Sequence, residues 1–180
     1  MQFLIVYATV EGHTRLIAEF IKDRIEAKGV GTRFLAAGGR VRDLHLGDYT
    51  GFIAASPVHQ QTHAEDLIAF LKAHAAETGG VPSALVSVSL SAAFPDGRSE
   101  AQGYVDRLVT ATGWQPTAVH LAAGALRFDS YDFFQEQIIR HVVLKDRAPD
   151  VIEGDHDFTD WEALGAFVDD FIGKAGTGAV

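Results

Sequence analysis

Short apolar runs alternate with amphipathic stretches along most of the chain. Five runs have the length and composition of β-strands, at residues 3–7, 32–35, 51–55, 84–88 and 118–122. The first is continuously apolar, which is typical of a parallel strand buried on both faces. The second is polar enough to lie at the edge of a sheet. The pattern therefore predicts five strands, with connecting segments long enough for helices.

Apolar side chains recur at three- and four-residue spacing between these runs, which predicts amphipathic helices. The sets are Leu16, Ile17, Phe20, Ile21 and Ile25; Leu67, Ile68 and Leu71; Tyr104, Val105, Leu108 and Val109; and Trp161, Leu164, Phe167, Val168, Phe171 and Ile172. Thr159 and Glu162 have the spacing of a capping box, which predicts the start of the last helix. Strands that alternate with helices form parallel units with right-handed crossovers. We therefore predict a doubly wound α/β fold with five parallel strands in the order 2-1-3-4-5 and helices on both faces.

Residues 124–158 form an insertion between the fifth strand and the last helix, which the five-stranded fold does not require. Apolar side chains repeat in it at helical spacing, at Phe134, Ile138, Ile139, Val142 and Val143. We predict a single domain over residues 1–174 with this helical insertion, followed by a flexible tail at 175–180.

The composition restricts the class of protein. A chain of 180 residues with 47% hydrophobic residues is expected to form about one domain with a substantial core. Cysteine is absent, which excludes disulfides, thiolate metal sites, iron–sulfur clusters and a cysteine nucleophile. No apolar run approaches the roughly 20 residues of a membrane-spanning helix, and no signal peptide is recognisable, so we expect a cytoplasmic protein. The net charge of −9 argues against nucleic-acid binding.

The turn between the first strand and the first helix carries the strongest chemical signal. It contains Thr9, Val10, Glu11, Gly12, His13 and Thr14. A phosphate at this place meets unpaired N–H groups and the positive end of the helix dipole. The hydroxyls of Thr9 and Thr14 add donors, and the turn contains no Lys or Arg, so it predicts a monophosphate held by neutral groups. Capping of the helix by either threonine is the alternative.

Other catalytic patterns are weak or missing. His59 and His63 lie four residues apart without the third ligand that a metal site needs, so we expect no metal. The chain has no Gly-x-Ser-x-Gly sequence, which argues against a serine hydrolase. Glu11 alone does not supply the acidic cluster of a response-regulator receiver, which shares this strand order.

The phosphate turn resembles the FMN phosphate loop of flavodoxins. The rest of the chain resembles one branch of these proteins, the menaquinone-dependent protoporphyrinogen oxidases. The similar stretches are residues 82–84, 87–90, 114–116, 123–128 and 158–162. The Gly-Ala-Leu-Arg-aromatic stretch from Gly124 and the Thr-Asp-Trp-Glu stretch from Thr159 resemble that branch specifically. The resemblance covers nearly the whole chain.

This resemblance implies a flavodoxin-like fold, an FMN cofactor, and oxidation of protoporphyrinogen IX to protoporphyrin IX with electrons passed to a quinone, a step of heme biosynthesis. It also implies that two segments hold the flavin ring. They comprise Ser56, Pro57, Val58, His59 and Gln60 after the third strand, and Ser89, Leu90, Ser91 and Phe94 after the fourth. Members of the branch carry an arginine, an aromatic residue and a glycine after the serine, whereas His59 supplies the one ring here. Phe94 is expected either to cover the flavin or to anchor its loop in the core.

The insertion is expected from the resemblance to face the quinone or the membrane. Basic side chains at Arg127, Arg140, Lys145 and Arg147 accompany its aromatic residues, and such a helix can lie on an anionic bilayer. Packing on the domain or on a second subunit, as in a homodimer, is the alternative. Arg127 is the candidate for substrate contact, through a porphyrin propionate or a carboxylate of the protein. Two other functions stay open: a flavodoxin-type electron carrier with a protein partner, and a flavin-free binding domain.

Overall fold

A six-stranded sheet forms the centre of the computed structural model, which describes residues 1–39, 43–126 and 156–178. Its strands are β1 (Gln2–Tyr7), β2 (Gly31–Ala36), β3 (Gly51–His59), β4 (Thr62–His63), β5 (Ser83–Ser89) and β6 (Ala118–Ala123). The short β4 pairs antiparallel with the end of β3, and the other five strands are parallel. Their order, β2-β1-β3-β5-β6, confirms the predicted order 2-1-3-4-5, with β4 as an addition.

The helices follow the predicted apolar stripes. They are α1 (His13–Glu26), α2 (Glu65–Ala73), the short α3 (Ala75–Thr78), α4 (Arg98–Thr112) and α5 (Trp161–Thr177). Short 3-10 helices lie at Leu46–Asp48, Leu90–Ala93 and Pro95–Gly97, and a separate two-stranded ribbon joins β7 (Ala125–Leu126) to β8 (His156–Asp157).

Alternate residues of β1 divide the core into two layers. Phe3 and Ile5 pack with apolar residues of α1 and α5, whereas Leu4 and Val6 pack with those of α2 and α4 on the opposite face. All four side chains are fully buried. Both faces of the sheet are therefore covered by helices, which explains why the first strand is apolar without alternation.

The third parallel strand is longer than its pattern predicts. Pairing with β5 continues through Ser56 and Pro57, and Val58 and His59 pair with β4. The predicted end of this strand at residue 55 is therefore wrong. Pairing between β1 and β3 ends at Ala55, so β3 is an edge strand beyond that point, where a proline without an N–H group is tolerated.

The last helix also differs from the prediction at both ends. Asp160, rather than Thr159, is the N-cap residue, and its Oδ1 atom accepts a backbone N–H of the first turn at 2.9 Å. The helix continues to Thr177. Residues 175–177, which were predicted to belong to a flexible tail, are therefore helical. Ala175 is buried on the same stripe as the preceding apolar residues, which explains the extension.

The described residues include only the two ends of the predicted insertion. Ala125 pairs with Asp157 in the β7–β8 ribbon, so these two ends lie side by side. The predicted insertion helix and Arg127 lie outside the described residues, and contact with a membrane, a quinone or a second subunit stays a prediction. Among the described helices, none combines the length and the apolar character needed to cross a membrane.

Candidate functional site

A cleft of about 240 Å³ opens at the carboxyl ends of β1, β3 and β5. It is lined by residues 11, 13, 14, 57–61, 88–91, 104, 124 and 125. The chain places β2 on one side of β1 and β3 on the other, which makes this the topological switch point of the sheet. Ligands of doubly wound proteins bind in the crevice at such a point.

Gly12 and Thr9 shape the turn before α1. The Gly12 N–H donates to Thr9 Oγ1 at 2.9 Å, and the φ angle of +87° at Gly12 lies in the region that favours glycine. Gly12 is the N-cap residue of α1, so the alternative that Thr9 or Thr14 caps this helix is wrong. The first turn of α1 therefore offers backbone N–H donors to a ligand.

The predicted phosphate turn contributes three of its six residues to the cleft wall. Glu11, His13 and Thr14 line the cleft, and the last two are buried. Val10 is 65% exposed and lies outside the wall. In the described part of the chain no Lys or Arg lines the cleft, whereas the acidic Glu11 does.

His13 connects the turn to residues near the start of α5. Its Nε2 atom is 2.8 Å from Thr159 Oγ1 and 3.5 Å from Asp157 Oδ1. Partial burial by itself raises the pKa of Asp157, but the hydrogen bond from the Thr159 backbone N–H, the charge of His13 and a bond from Trp161 together lower it. Asp157 is therefore ionised at neutral pH.

The end of β3 and β4 form a hairpin at one side of the cleft. Gln60 and Gln61 make its turn with φ angles of 48° and 66°, a left-handed conformation that costs a non-glycine residue about 1 kcal/mol or more. Arg107 of α4 donates from Nη1 to both the backbone oxygen and Oε1 of Gln61, each at 3.1 Å. The strained turn is thus tied to the helix beside the cleft.

His63 anchors the same hairpin to the sheet. It is buried, its Nε2 atom lies 2.9 Å from Ser87 Oγ, and burial lowers its pKa to about 4. Ser56 Oγ accepts the backbone N–H of the residue after His63 at 3.2 Å. His59 lies on the other strand, is exposed and lines the cleft. Among the described residues, no three histidine or carboxylate side chains are grouped to hold a metal ion.

The residues after β5 form another wall. Ser89, Leu90 and Ser91 line the cleft as predicted for a ligand-binding segment. Ser89 is buried, and its Oγ atom has no hydrogen-bond partner in the described part of the chain. Because buried polar atoms are nearly always paired, this hydroxyl is a candidate ligand contact.

Phe94 does not line the cleft. Its ring is half-buried, its centroid lies 5.9 Å from that of Phe158, and it belongs to neither core layer, so neither of the two predicted roles is confirmed. Tyr104 lines the cleft instead, although its helical spacing predicted a core position. Its hydroxyl lies 3.3 Å from Ser91 Oγ, and burial raises its pKa.

The sequence analysis missed five of the lining residues. They are Gln61, Val88, Tyr104, Gly124 and Ala125. Gln61 directly follows a predicted ring segment, and Gly124 begins a stretch that resembles the oxidase branch. A signal was therefore present for both, whereas nothing separates Tyr104 from a core residue in the sequence.

Comparison with known proteins places the chain among flavin proteins. A family model described as a flavodoxin domain matches residues 4–150. A protein of Escherichia coli (strain K12) named protoporphyrinogen IX dehydrogenase (quinone) is 24% identical over 168 residues, covering 93% of this chain and 92% of that protein. Flavodoxin from Streptococcus pneumoniae has a TM-score of 0.55 at 14% identity, covering 97% of this chain and 99% of that one. A structure of Fusobacterium nucleatum flavodoxin bound to flavin mononucleotide has a TM-score of 0.53 at 14% identity, with 98% of both chains covered.

Proposed function

Because this chain belongs to the flavodoxin domain family, we propose that it is an FMN-dependent oxidoreductase with its cofactor in the cleft at residues 11–14, 57–61 and 88–91. The observation that supports this most is the convergence of the phosphate turn, the β3–β4 hairpin and the segment after β5 on one cleft. These three segments are far apart in the sequence. They meet at the switch point, where doubly wound proteins bind their ligands.

The chemistry of the cleft fits the two ends of FMN. The N–H groups of the first turn of α1, the Thr14 hydroxyl and the helix dipole would hold the phosphate. The unpartnered Ser89 hydroxyl adds a polar contact, and Pro57, Val58 and Tyr104 present apolar surface to a flat ring. When bound, FMN supplies the redox chemistry, and the protein binds it, orients it and limits water access.

The proposed electron donor and acceptor are based on the names of similar proteins and not on the geometry of the cleft. The curated relative from Escherichia coli carries the name protoporphyrinogen IX dehydrogenase (quinone), and stretches along most of this chain resemble that branch. We propose the same reaction: protoporphyrinogen IX loses six electrons and six protons to become protoporphyrin IX, and three quinone molecules each take up two electrons and two protons to become quinols. This reaction would place the protein in heme biosynthesis.

An absorption spectrum of the purified protein tests the cofactor. We expect flavin bands, present on purification or after addition of FMN. Anaerobic addition of protoporphyrinogen IX should then bleach the flavin bands, and a quinone should restore them. A protein that takes up no FMN would contradict the proposal as a whole. Reoxidation by a partner protein but not by a quinone would identify an electron carrier instead.

Thr14→Ala should weaken FMN binding about tenfold, because it removes a buried hydroxyl that bonds a charged phosphate. Thr14→Ser keeps the hydroxyl and should bind FMN almost as the unchanged protein does. Titration of flavin fluorescence measures both affinities. Riboflavin, which lacks the phosphate, should bind all three proteins equally. If Thr14→Ala binds FMN normally, the phosphate does not lie at this turn.

A further inference from the structure

We propose that His13 is a positioning residue of the phosphate turn, held in place by Thr159 and Asp157. The His13 cluster, defined as His13, Asp157, Thr159 and Trp161, would keep the first turn of α1 in the orientation that receives a phosphate. The inference rests on the proposed FMN site, and it assigns a role to the Thr-Asp-Trp-Glu stretch that the cleft alone does not explain.

The direction of the hydrogen bonds in the cluster is determined by Thr159. Its hydroxyl has one proton, which it donates to the carbonyl oxygen of Ala123 at 2.9 Å. The bond of 2.8 Å between His13 Nε2 and Thr159 Oγ1 must therefore have the histidine as donor. A proton on Nε2 is thus required in the neutral as well as in the charged form of His13.

Asp157 also lies near that proton. Its Oδ1 atom lies 3.5 Å from His13 Nε2 and accepts the Thr159 N–H at 2.9 Å. Its Oδ2 atom accepts the Trp161 indole N–H at 3.3 Å. Both carboxylate oxygens are therefore engaged, and an ionised group faces the imidazole N–H.

Ring packing fixes the plane of the imidazole. The Trp161 ring meets the His13 ring edge-on with centroids 6.2 Å apart, and it also packs on Phe20 of α1 at 5.1 Å. The segment that precedes Trp161 is bonded to the end of β6, because the Phe158 N–H donates to the Gly124 carbonyl at 3.2 Å. Residues 157–161 thus contact α1 and the end of β6 together.

The position of His13 links this packing to the proposed phosphate. It is the first residue of α1, it lines the cleft, and its side chain contacts Thr159, which lies 146 positions away in the sequence. Arg15, the next basic residue of the helix, pairs with Glu19 at 2.8 Å and is exposed. The contacts of His13 therefore connect the first turn of α1 to Asp157 and Thr159.

Thr159→Val tests the inference, because valine keeps the shape of threonine but loses both hydrogen bonds of the hydroxyl. We expect FMN affinity to fall about fivefold to tenfold, and riboflavin affinity to stay unchanged. Thr159→Ser should restore FMN affinity. Thr177→Val is the matched control, because it deletes an exposed hydroxyl from the far end of the same helix and should change neither affinity.

A second measurement does not depend on FMN. Long-range 1H–15N NMR of the imidazole should show His13 of the ligand-free protein protonated at Nε2, and Thr159→Val should alter this signal. If Thr159→Val does not fold, His13→Gln and His13→Leu replace it; glutamine retains a side-chain N–H donor and should bind FMN more tightly than leucine does.

Several results would overturn the inference. They are unchanged FMN affinity in Thr159→Val, an equal loss for FMN and riboflavin, and a His13 that is unprotonated at Nε2. If the unchanged protein binds no FMN, the proposed function is overturned as well. If the unchanged protein and the Thr159→Val variant bind FMN equally, only the role of the His13 cluster is overturned.

Discussion

Lowering the pH from 6.5 to 4 should reduce the free energy of unfolding by about 3 kcal/mol through His63 alone. Burial lowers the pKa of His63 from its usual 6.5 to about 4 in the folded protein. The unfolded chain therefore binds a proton in this range that the folded protein does not. Stability from the neutral imidazole is complete above pH 6.5 and is lost as the pH falls toward 4. Urea denaturation at several pH values measures the effect.

His63→Gln isolates this contribution, because glutamine does not titrate and its amide can still bond Ser87. The variant should lose much less stability than the unchanged protein between pH 6.5 and 4. His59→Gln is the matched control, because the His59 side chain lies on the same hairpin but is exposed, so its loss should leave the pH profile unchanged. Parallel profiles for the unchanged protein and His63→Gln would show that His63 is not buried in a neutral form.

Gly97→Ala should destabilise the protein by about 1–3 kcal/mol and weaken FMN binding. The φ angle of −84° at Gly97 is one that alanine adopts readily, so the expected cost is steric. A Cβ atom at this buried position would overlap the carbonyl oxygen of Ser91. The backbone of Ser91 must move, and with it the cleft wall and the 2.7 Å bond from Ser91 Oγ to Glu100.

Gly103→Ala in α4 is the matched control for this substitution. Apart from the neighbouring residues and the backbone of α4 itself, no described atom lies within 4 Å of the added Cβ, and alanine is favoured over glycine within a helix by about 0.5–1 kcal/mol. This variant should therefore be slightly more stable and bind FMN normally. Urea denaturation and flavin fluorescence compare the two variants. Equal behaviour of Gly97→Ala and Gly103→Ala would contradict the close approach of Ser91 to Gly97.

The β3–β4 hairpin shows why parts of the site were not predictable. The sequence predicts that the strand ends before Ser56, because a proline follows this residue and proline commonly ends a strand. The strand continues because β1 stops pairing at Ala55 and leaves an edge on which proline is tolerated. The left-handed turn at Gln60 and Gln61 has no glycine to indicate it, and its anchor is Arg107 on a distant helix. Local patterns contain no information on such partners.

The sequence by itself determined the order of the strands, the helical faces and the turn at residues 9–14. Those features depend on side-chain periodicity and on neighbours within a few residues. Only the tertiary structure decided that Tyr104 lines the cleft while Phe94 does not, that His63 is buried against Ser87, and that His13 bonds Thr159. A cleft residue and a core residue have the same spacing on a helix. Whether a helical residue lines the cleft depends on whether it lies beside the ends of the strands. The position of those strand ends depends on how the whole chain packs.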